Sequence, residues 1–477
     1  MAEVSGSLSS KNSTKLLLKW VIAIGVTVAC LFIPVDEIFT VQTRNFVAVT
    51  VFCILLLALN LLDQGLIGLL LPFLWVITGC ATFTQAMSGW ASSYPLMFFG
   101  AFILVTILQR IGLLERIGYK IIVMAGGTFN RTIWALFIIA HIVALVTFTM
   151  GQAITLTIAL SIAAAFEIKK EDPEALPILC AVVLGAVQCS PYIYNPITMT
   201  MINGAALGFV PTFAPVTPVQ LLGHNAPVLL FNIAFMWGFL KWFNKRHPGI
   251  GSRDTGVQKE LFKLKLEEMG KITSAEKKAL VVIALMLVYM FSASFFGLDI
   301  GYGFLGAAIV LWLPFMEVGT SQDVAEAAKI SLPIMLLVLA FISIGTVGTA
   351  CGFGALITVK LVPLVSQFGY VGSIYATLGV GTLSNFILTP GAMVMLLTGP
   401  VVQFATELGF NALPHIYSIY LTEHAIFHPY EWPMYLVIYA FGLISMNRFV
   451  KFCCVKTTIF LAFVCLVMVP WWIFIVG

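Results

Sequence analysis

Charge is scarce in this sequence. Asp, Glu, Lys and Arg make up only 10% of the 477 residues, against roughly a quarter in an average soluble domain. So few charges cannot cover a globular surface in water. The net charge of +4 gathers in one connector and leaves no basic footprint, so no nucleic-acid partner is expected. Catalytic signatures are missing as well: there is no Gly-x-Ser-x-Gly, no His-Glu-x-x-His, no phosphate loop and no metal-ligand spacing. The chain is therefore not read as an enzyme, and neither a cofactor nor a metal beyond a transported cation is expected. The nine cysteines (30, 53, 80, 180, 189, 351, 453, 454 and 465) contain no Cys-x-x-Cys pair and read as buried, reduced thiols. No Asp or Glu falls in the middle of an apolar run, so the buried carboxylate relay of many proton-driven carriers is not evident.

What the sequence has instead is hydrocarbon. Sixty per cent of it is hydrophobic and 13% aromatic, with a mean hydropathy of +1.02. Apolar runs of about 20 residues, enough to cross a bilayer as a helix, are expected near 16–34, 46–63, 66–84, 94–110, 132–148, 226–243, 279–296, 331–350, 371–388 and 457–476. This is the pattern of an all-α polytopic membrane protein. Lys11, Lys15 and Lys19 precede the first run and no small-residue cleavage site follows it, so it is expected as a retained anchor with a cytoplasmic N-terminus. The segment from Lys241 to Lys278 holds ten of the 25 Lys and Arg residues and is expected on the cytoplasmic side too. Within it VQKELFKLKLEEMGK is amphipathic, suited to a membrane surface or to a solvated connector helix. The expected location is the bacterial inner membrane.

The two sides of that connector echo each other. Residues 95–117, PLMFFGAFILVTILQRIGLLERI, align with 333–357. TMGQAIT at 149–155 recurs as TPGAMVM at 389–395, and Ser190, Pro191 and Tyr192 recur as His428, Pro429 and Tyr430. Expected segments are an anchor and scaffold over 1–90, a first repeat over 91–243, a connector over 244–278, a second repeat over 279–456 and a C-terminal transmembrane helix over 457–477. Each repeat would hold a re-entrant hairpin tip (149–152, 389–391) and a helix break (190–196, 428–433). An odd number of crossings between corresponding points would invert the repeats; an even number would make them parallel.

Breaks inside hydrocarbon survive only where they are buried in protein or line a polar cavity, and carriers use them as binding sites. Pro191 and Pro196 remove backbone donors and force a turn out of the helix. That turn carries Ser190, Tyr192, Tyr194 and Asn195, after which PITMTMINGAALG restarts as a half-helix with Thr198 near its free amides. Thr149, Gly151 and Gln152, and Thr389 and Gly391, supply hydroxyls, an amide and close backbone approach at the tips. Ser384 and Asn385 lie just before the second tip. Proton-sensitive alternatives are Glu423, His428 and Glu431, while interfacial placement beside Trp432 accounts for them equally well. His141 and His224 are expected to make interhelical hydrogen bonds.

A long apolar helix running into GLLERIG (112–118), a hairpin tip, a broken helix with prolines and asparagine, and then the set again, resembles the divalent anion/sodium symporter family of the ion transporter superfamily. The resemblance implies an inverted-repeat homodimer that moves a dicarboxylate, citrate or sulfate with sodium by an elevator motion. That family's tips read Ser-Asn-Thr, whereas here they are Thr149-Met150-Gly151 and Thr389-Pro390-Gly391. The tip asparagines are missing, and Gln152, Asn195 or Asn385 would have to replace them. On this footing the expected substrate-binding residues are Thr149, Gln152, Asn195, Thr198, Asn385 and Thr389. The expected cation-binding residues are Thr149, Gly151, Ser190, Tyr192, Asn195, Thr389 and Gly391. The transported cation is expected to be sodium, with proton coupling or exchange of another organic anion as the alternative.

Overall fold

The computed structural model describes residues 9–477 apart from 60, 387, 433, 434, 436, 437, 440 and 441. Residues 1–8 of the expected anchor segment, residues 60 and 387 inside expected crossings, and residue 433 at the end of the second expected break lie outside the described set. The chain is all-helical, at 77% helix with no strand among the described residues; a single isolated bridge joins Thr128 to Asp254. Helices satisfy their own backbone groups, which is what hydrocarbon demands.

In chain order the helices are α1 (Ser9–Leu31), α2 (Val41–Ala58), α3 (Gln64–Ile77), α4 (Phe83–Ala86), α5 (Tyr94–Arg110), α6 (Leu113–Ala125), α7 (Phe129–Val146), α8 (Gln152–Ala165), α9 (Ala175–Val182) and α10 (Pro196–Phe209). They continue with α11 (Pro218–Arg246), α12 (Gly256–Glu268), α13 (Ser274–Phe296), α14 (Gly301–Trp312), α15 (Ser321–Ala350), α16 (Phe353–Leu356), α17 (Val362–Ser366), α18 (Gly369–Ser384), α19 (Pro390–Glu407) and α20 (Leu413–Glu423). A C-terminal helix, Met446–Val476, ends the chain.

Among the described residues six helices are long and apolar enough to cross a membrane: α2, α7, α11, α13, α15 and the C-terminal helix. The number rises to eight if each of two bent pairs counts as one span. The pair α5 and α6 bends by 57°, and Phe353–Ser366 bends by 111° into α18. Glycines in the left-handed region sit at both bends, Gly112 at φ +72° and Gly369 at φ +62°, a conformation that costs other residues energy. The expected crossing 371–388 is thus the second arm of a bent pair. The expected crossing 66–84 is shorter than predicted: α3 has 14 residues, and the chain leaves the helix at Gly79, φ +70°, before Thr82 caps α4.

The chain divides into two compact units. The first comprises Met1–Pro95, Thr200–Pro215 and Leu332–Glu423. In it α18, α19 and α20 pack together, as do α2 and α3. Gly208 and Gly345 meet backbone to backbone, with no room for a side chain on either.

The second unit comprises Leu96–Met199, Val216–Ser331 and His424–Gly477. Here α7 is central, packing on α6, α8 and α9. Two arginines on α5 and α6 reach buried acids: Arg110 Nε lies 2.6 Å from Asp323 and Arg116 Nε 2.6 Å from Glu276. The amphipathic connector piece is α12, docked on α6. Phe262 is buried against Tyr119, and Arg116 donates to the carbonyls of Met269 and Gly270 at 2.9 and 2.7 Å. Val257, Leu261 and Leu264 stay exposed.

Candidate substrate and cation site

The first tip belongs to the second unit and joins α7 to α8. Thr147 builds it: its hydroxyl donates back to the Val143 carbonyl at 2.7 Å and accepts the Gly151 N–H at 2.8 Å. Between these anchors Phe148 and Thr149 lie at φ +51° and +64°. A β-branched residue in the left-handed region is strained by about 1–2 kcal/mol. Phe148 is held by an edge-on contact with Phe304, 4.6 Å between centroids. The Thr149 hydroxyl is buried and has no hydrogen-bond partner among the described residues. Gln152 starts α8, half-buried.

The first break follows a π-helical stretch, Val183–Val187, that continues α9. Asn232 on α11 collects the polar groups this break frees: its Nδ2 donates to the carbonyls of Leu184 (3.3 Å) and Gln188 (3.1 Å) and to the Tyr192 hydroxyl (3.0 Å). His141 on α7 reaches the same hydroxyl through Nε2 at 2.7 Å, a bond to the turn of the break where one to another helix was expected. Tyr192, expected near a cation, thus has its oxygen engaged by two side chains. The Ser190 hydroxyl donates to the Val187 carbonyl at 3.3 Å.

Helix α10 restarts at Pro196, as the proline pattern predicts. Asn195 caps it: Oδ1 accepts the N–H groups of Ile197 (2.9 Å) and Thr198 (3.2 Å). The oxygen is therefore spent on the helix, and the half-buried side chain retains an NH2 group able to donate. Thr198 is buried in the first turn.

The second tip belongs to the first unit and joins α18 to α19. Thr389 is the N-cap of α19 at φ −68° and ψ 150°, makes no side-chain capping bond, and is followed by Pro390. Gly391 is half-buried, and the nearest group to a side chain placed there is Met201, 3.9 Å away. Asn385 is buried and donates its Nδ2 to the Thr422 carbonyl, leaving Oδ1 without a partner among the described residues. Its bonding is the converse of that of Asn195: one amide has its oxygen tied and its NH2 left over, the other the reverse. In the second break Glu431 turns inward and accepts from the N–H groups of Phe427 (3.0 Å) and His428 (3.1 Å) and from His428 Nδ1 (3.1 Å).

The sequence reading missed Lys456. Its ammonium is fully buried in the C-terminal helix and donates to Gln188 Oε1 (3.2 Å) and the His424 carbonyl (2.9 Å). The expected span 457–476 begins one residue too late to include it; a lone lysine in CCVKTTIFLAF is the signal that was there. Asn232, the other group missed, is one of many amides on apolar helices and gives no such signal.

A membrane-embedded helical chain, with strained and under-bonded polar groups at interruptions of its apolar helices, is built as a carrier. A family comparison agrees: a model of the citrate transporter family, CitMHS, matches residues 54–317, more than half of the chain, and the chain belongs to that family. The family is part of the ion transporter and divalent anion symporter group, the group the motifs resemble, and its members are transporters rather than enzymes. No curated protein matches the chain.

Proposed function

We propose that this protein is a secondary active transporter of a di- or tricarboxylate, citrate foremost, coupled to sodium and working as a homodimer by an elevator-type alternating-access movement. The observation that carries the reading is Thr149, a buried hydroxyl without a partner among the described residues, held in a strained turn. A group left costly on two counts is expected to find its partner in a ligand. The segment matched by the family includes this tip and the first break. The NH2 group of Asn195, with Thr198 three residues on, and the amide of Gln152 at the first tip suit a carboxylate acceptor. The bare oxygen of Asn385, the hydroxyl of Thr389 and the backbone at Gly151 and Gly391 offer the neutral oxygens that sodium takes in broken-helix carriers.

A second reading, proton coupling or exchange, has one specific support: Glu431 is buried and its carboxylate accepts from the imidazole of His428. Both readings are tested by uptake of labelled citrate, succinate and sulfate into proteoliposomes under a sodium gradient, a pH gradient or neither. Citrate uptake driven by sodium is the expected result. Uptake driven by pH alone transfers the case to the second reading, and no gradient-driven uptake of any anion overturns both.

A further inference from the structure

Lys456 has no part in the reading above. It lies about 15 Å along the C-terminal helix, at 1.5 Å per residue, with none of its surface exposed. A charge in the apolar layer is costly and marks function more often than packing. Among the described residues no carboxylate forms an ion pair with it. Glu431 acts on it only at longer range and is tied to its own loop. The Phe460 ring lies 6.0 Å away on the same helix.

What answers the ammonium is a pair of neutral oxygens. Gln188 opens the first break, and His424 begins the chain leading to the second, so the lysine bridges the two interruptions of its unit. Gln188 turns its oxygen to the lysine and leaves Nε2 buried without a partner among the described residues, the orientation of an amide acting as a cation ligand. Carbonyl and amide oxygens at interrupted helices are the groups that hold monovalent cations in carriers of this build. We propose that the Lys456 ammonium is a tethered cation, filling between Gln188 Oε1 and the His424 carbonyl a position that would otherwise take a free monovalent cation. A coupling ion then binds elsewhere, and the tips are the places left for it. The inference rests on the proposed transport only for its uptake readout.

The test uses the purified full chain with Lys456→Ala, which retains the oxygens and removes the four atoms beyond Cβ. Its melting temperature is measured in choline chloride and then with n-propylammonium, potassium or sodium at matched ionic strength. The variant is expected to melt below wild type in choline and to recover most of the loss with propylammonium, which leaves wild type unmoved. Lys456→Met, of similar length and without charge, is expected to fold and to carry citrate about tenfold more slowly, the effect of losing hydrogen bonds from a charged donor. Lys456→Ala that melts the same in all four salts overturns the proposal, as does Lys456→Met with wild-type uptake. If Lys456→Ala does not accumulate, Lys456→Met decides alone. If wild type carries no carboxylate, the proposed function falls and the melting experiment still reads the cation position.

Discussion

Thr149 and Thr389 open the same Thr-x-Gly turn between two apolar helices, and the chain treats them in opposite ways. Thr149 lies in the left-handed region at φ +64° with its hydroxyl buried and unpartnered among the described residues, whereas Thr389 is extended at φ −68° and half-buried. The difference traces to the next residue. Pro390 holds the residue before it in an extended conformation, while Met150 leaves Thr149 free to enter the left-handed region. One tip is therefore fixed and strained, and the other relaxed. A repeat visible in letters need not be a repeat in energetics, so the two tips should respond differently to the same change.

The largest contrast is expected at the glycines. A methyl at Gly151 would come 2.6 Å from Thr147 Oγ1, the atom that anchors the tip, while a methyl at Gly391 meets nothing closer than 3.9 Å. Gly151→Ala is expected to cost about 1–3 kcal/mol, the range for overpacking, and Gly391→Ala no more than about 0.5 kcal/mol. Thermal melts of both in one detergent check this. Equal shifts would mean that the first tip has slack the geometry does not reveal.

The hydroxyls come next. Thr149→Val keeps shape and branching and removes an oxygen that makes no bond among the described residues, so it is expected to melt no lower than wild type. If that oxygen serves a ligand, citrate uptake falls about tenfold, the equivalent of one hydrogen bond. Thr389→Val is expected to change uptake less, because its half-exposed side chain leaves a hydroxyl replaceable by water. Uptake normalised to protein amount separates the cases, and an unaffected Thr149→Val would remove the main support for a ligand at this tip.

How far the sequence foretold these contrasts depended on the range of the interaction involved. The apolar runs and the restart at Pro196 follow from neighbours in the chain, through helix length and proline chemistry, and were legible. The short α3 was not, because apolar residues continue past Gly79 and only the backbone turn there ends the helix. The polar bonding of the first break was also hidden: Tyr192 meets His141 and Asn232, 51 and 40 residues away, and Gln188 meets Lys456 across 268. Residue type told which groups could bind a ligand, and only tertiary contacts told which were already occupied.

The smallest and most specific contrast lies between two asparagines. Asn195 spends its oxygen on the first turn of α10 and retains its NH2, while Asn385 spends its NH2 on the Thr422 carbonyl and retains its oxygen. A carboxylate needs the first kind of remainder and sodium the second. Asn195→Ala removes the cap as well as the donor and is expected to lose about 1 kcal/mol of stability, which confounds any loss of transport. Asn195→Ser keeps an oxygen that can cap and replaces the two-proton NH2 donor by one shorter hydroxyl. It is expected to melt close to wild type, to raise the KM for citrate severalfold and to leave the sodium dependence where it was. Asn385→Ser should do the reverse, weakening the response to sodium with less effect on citrate. If both variants raise the citrate KM alike, the amides do not divide anion from cation, and Asn195 is a helix cap like any other.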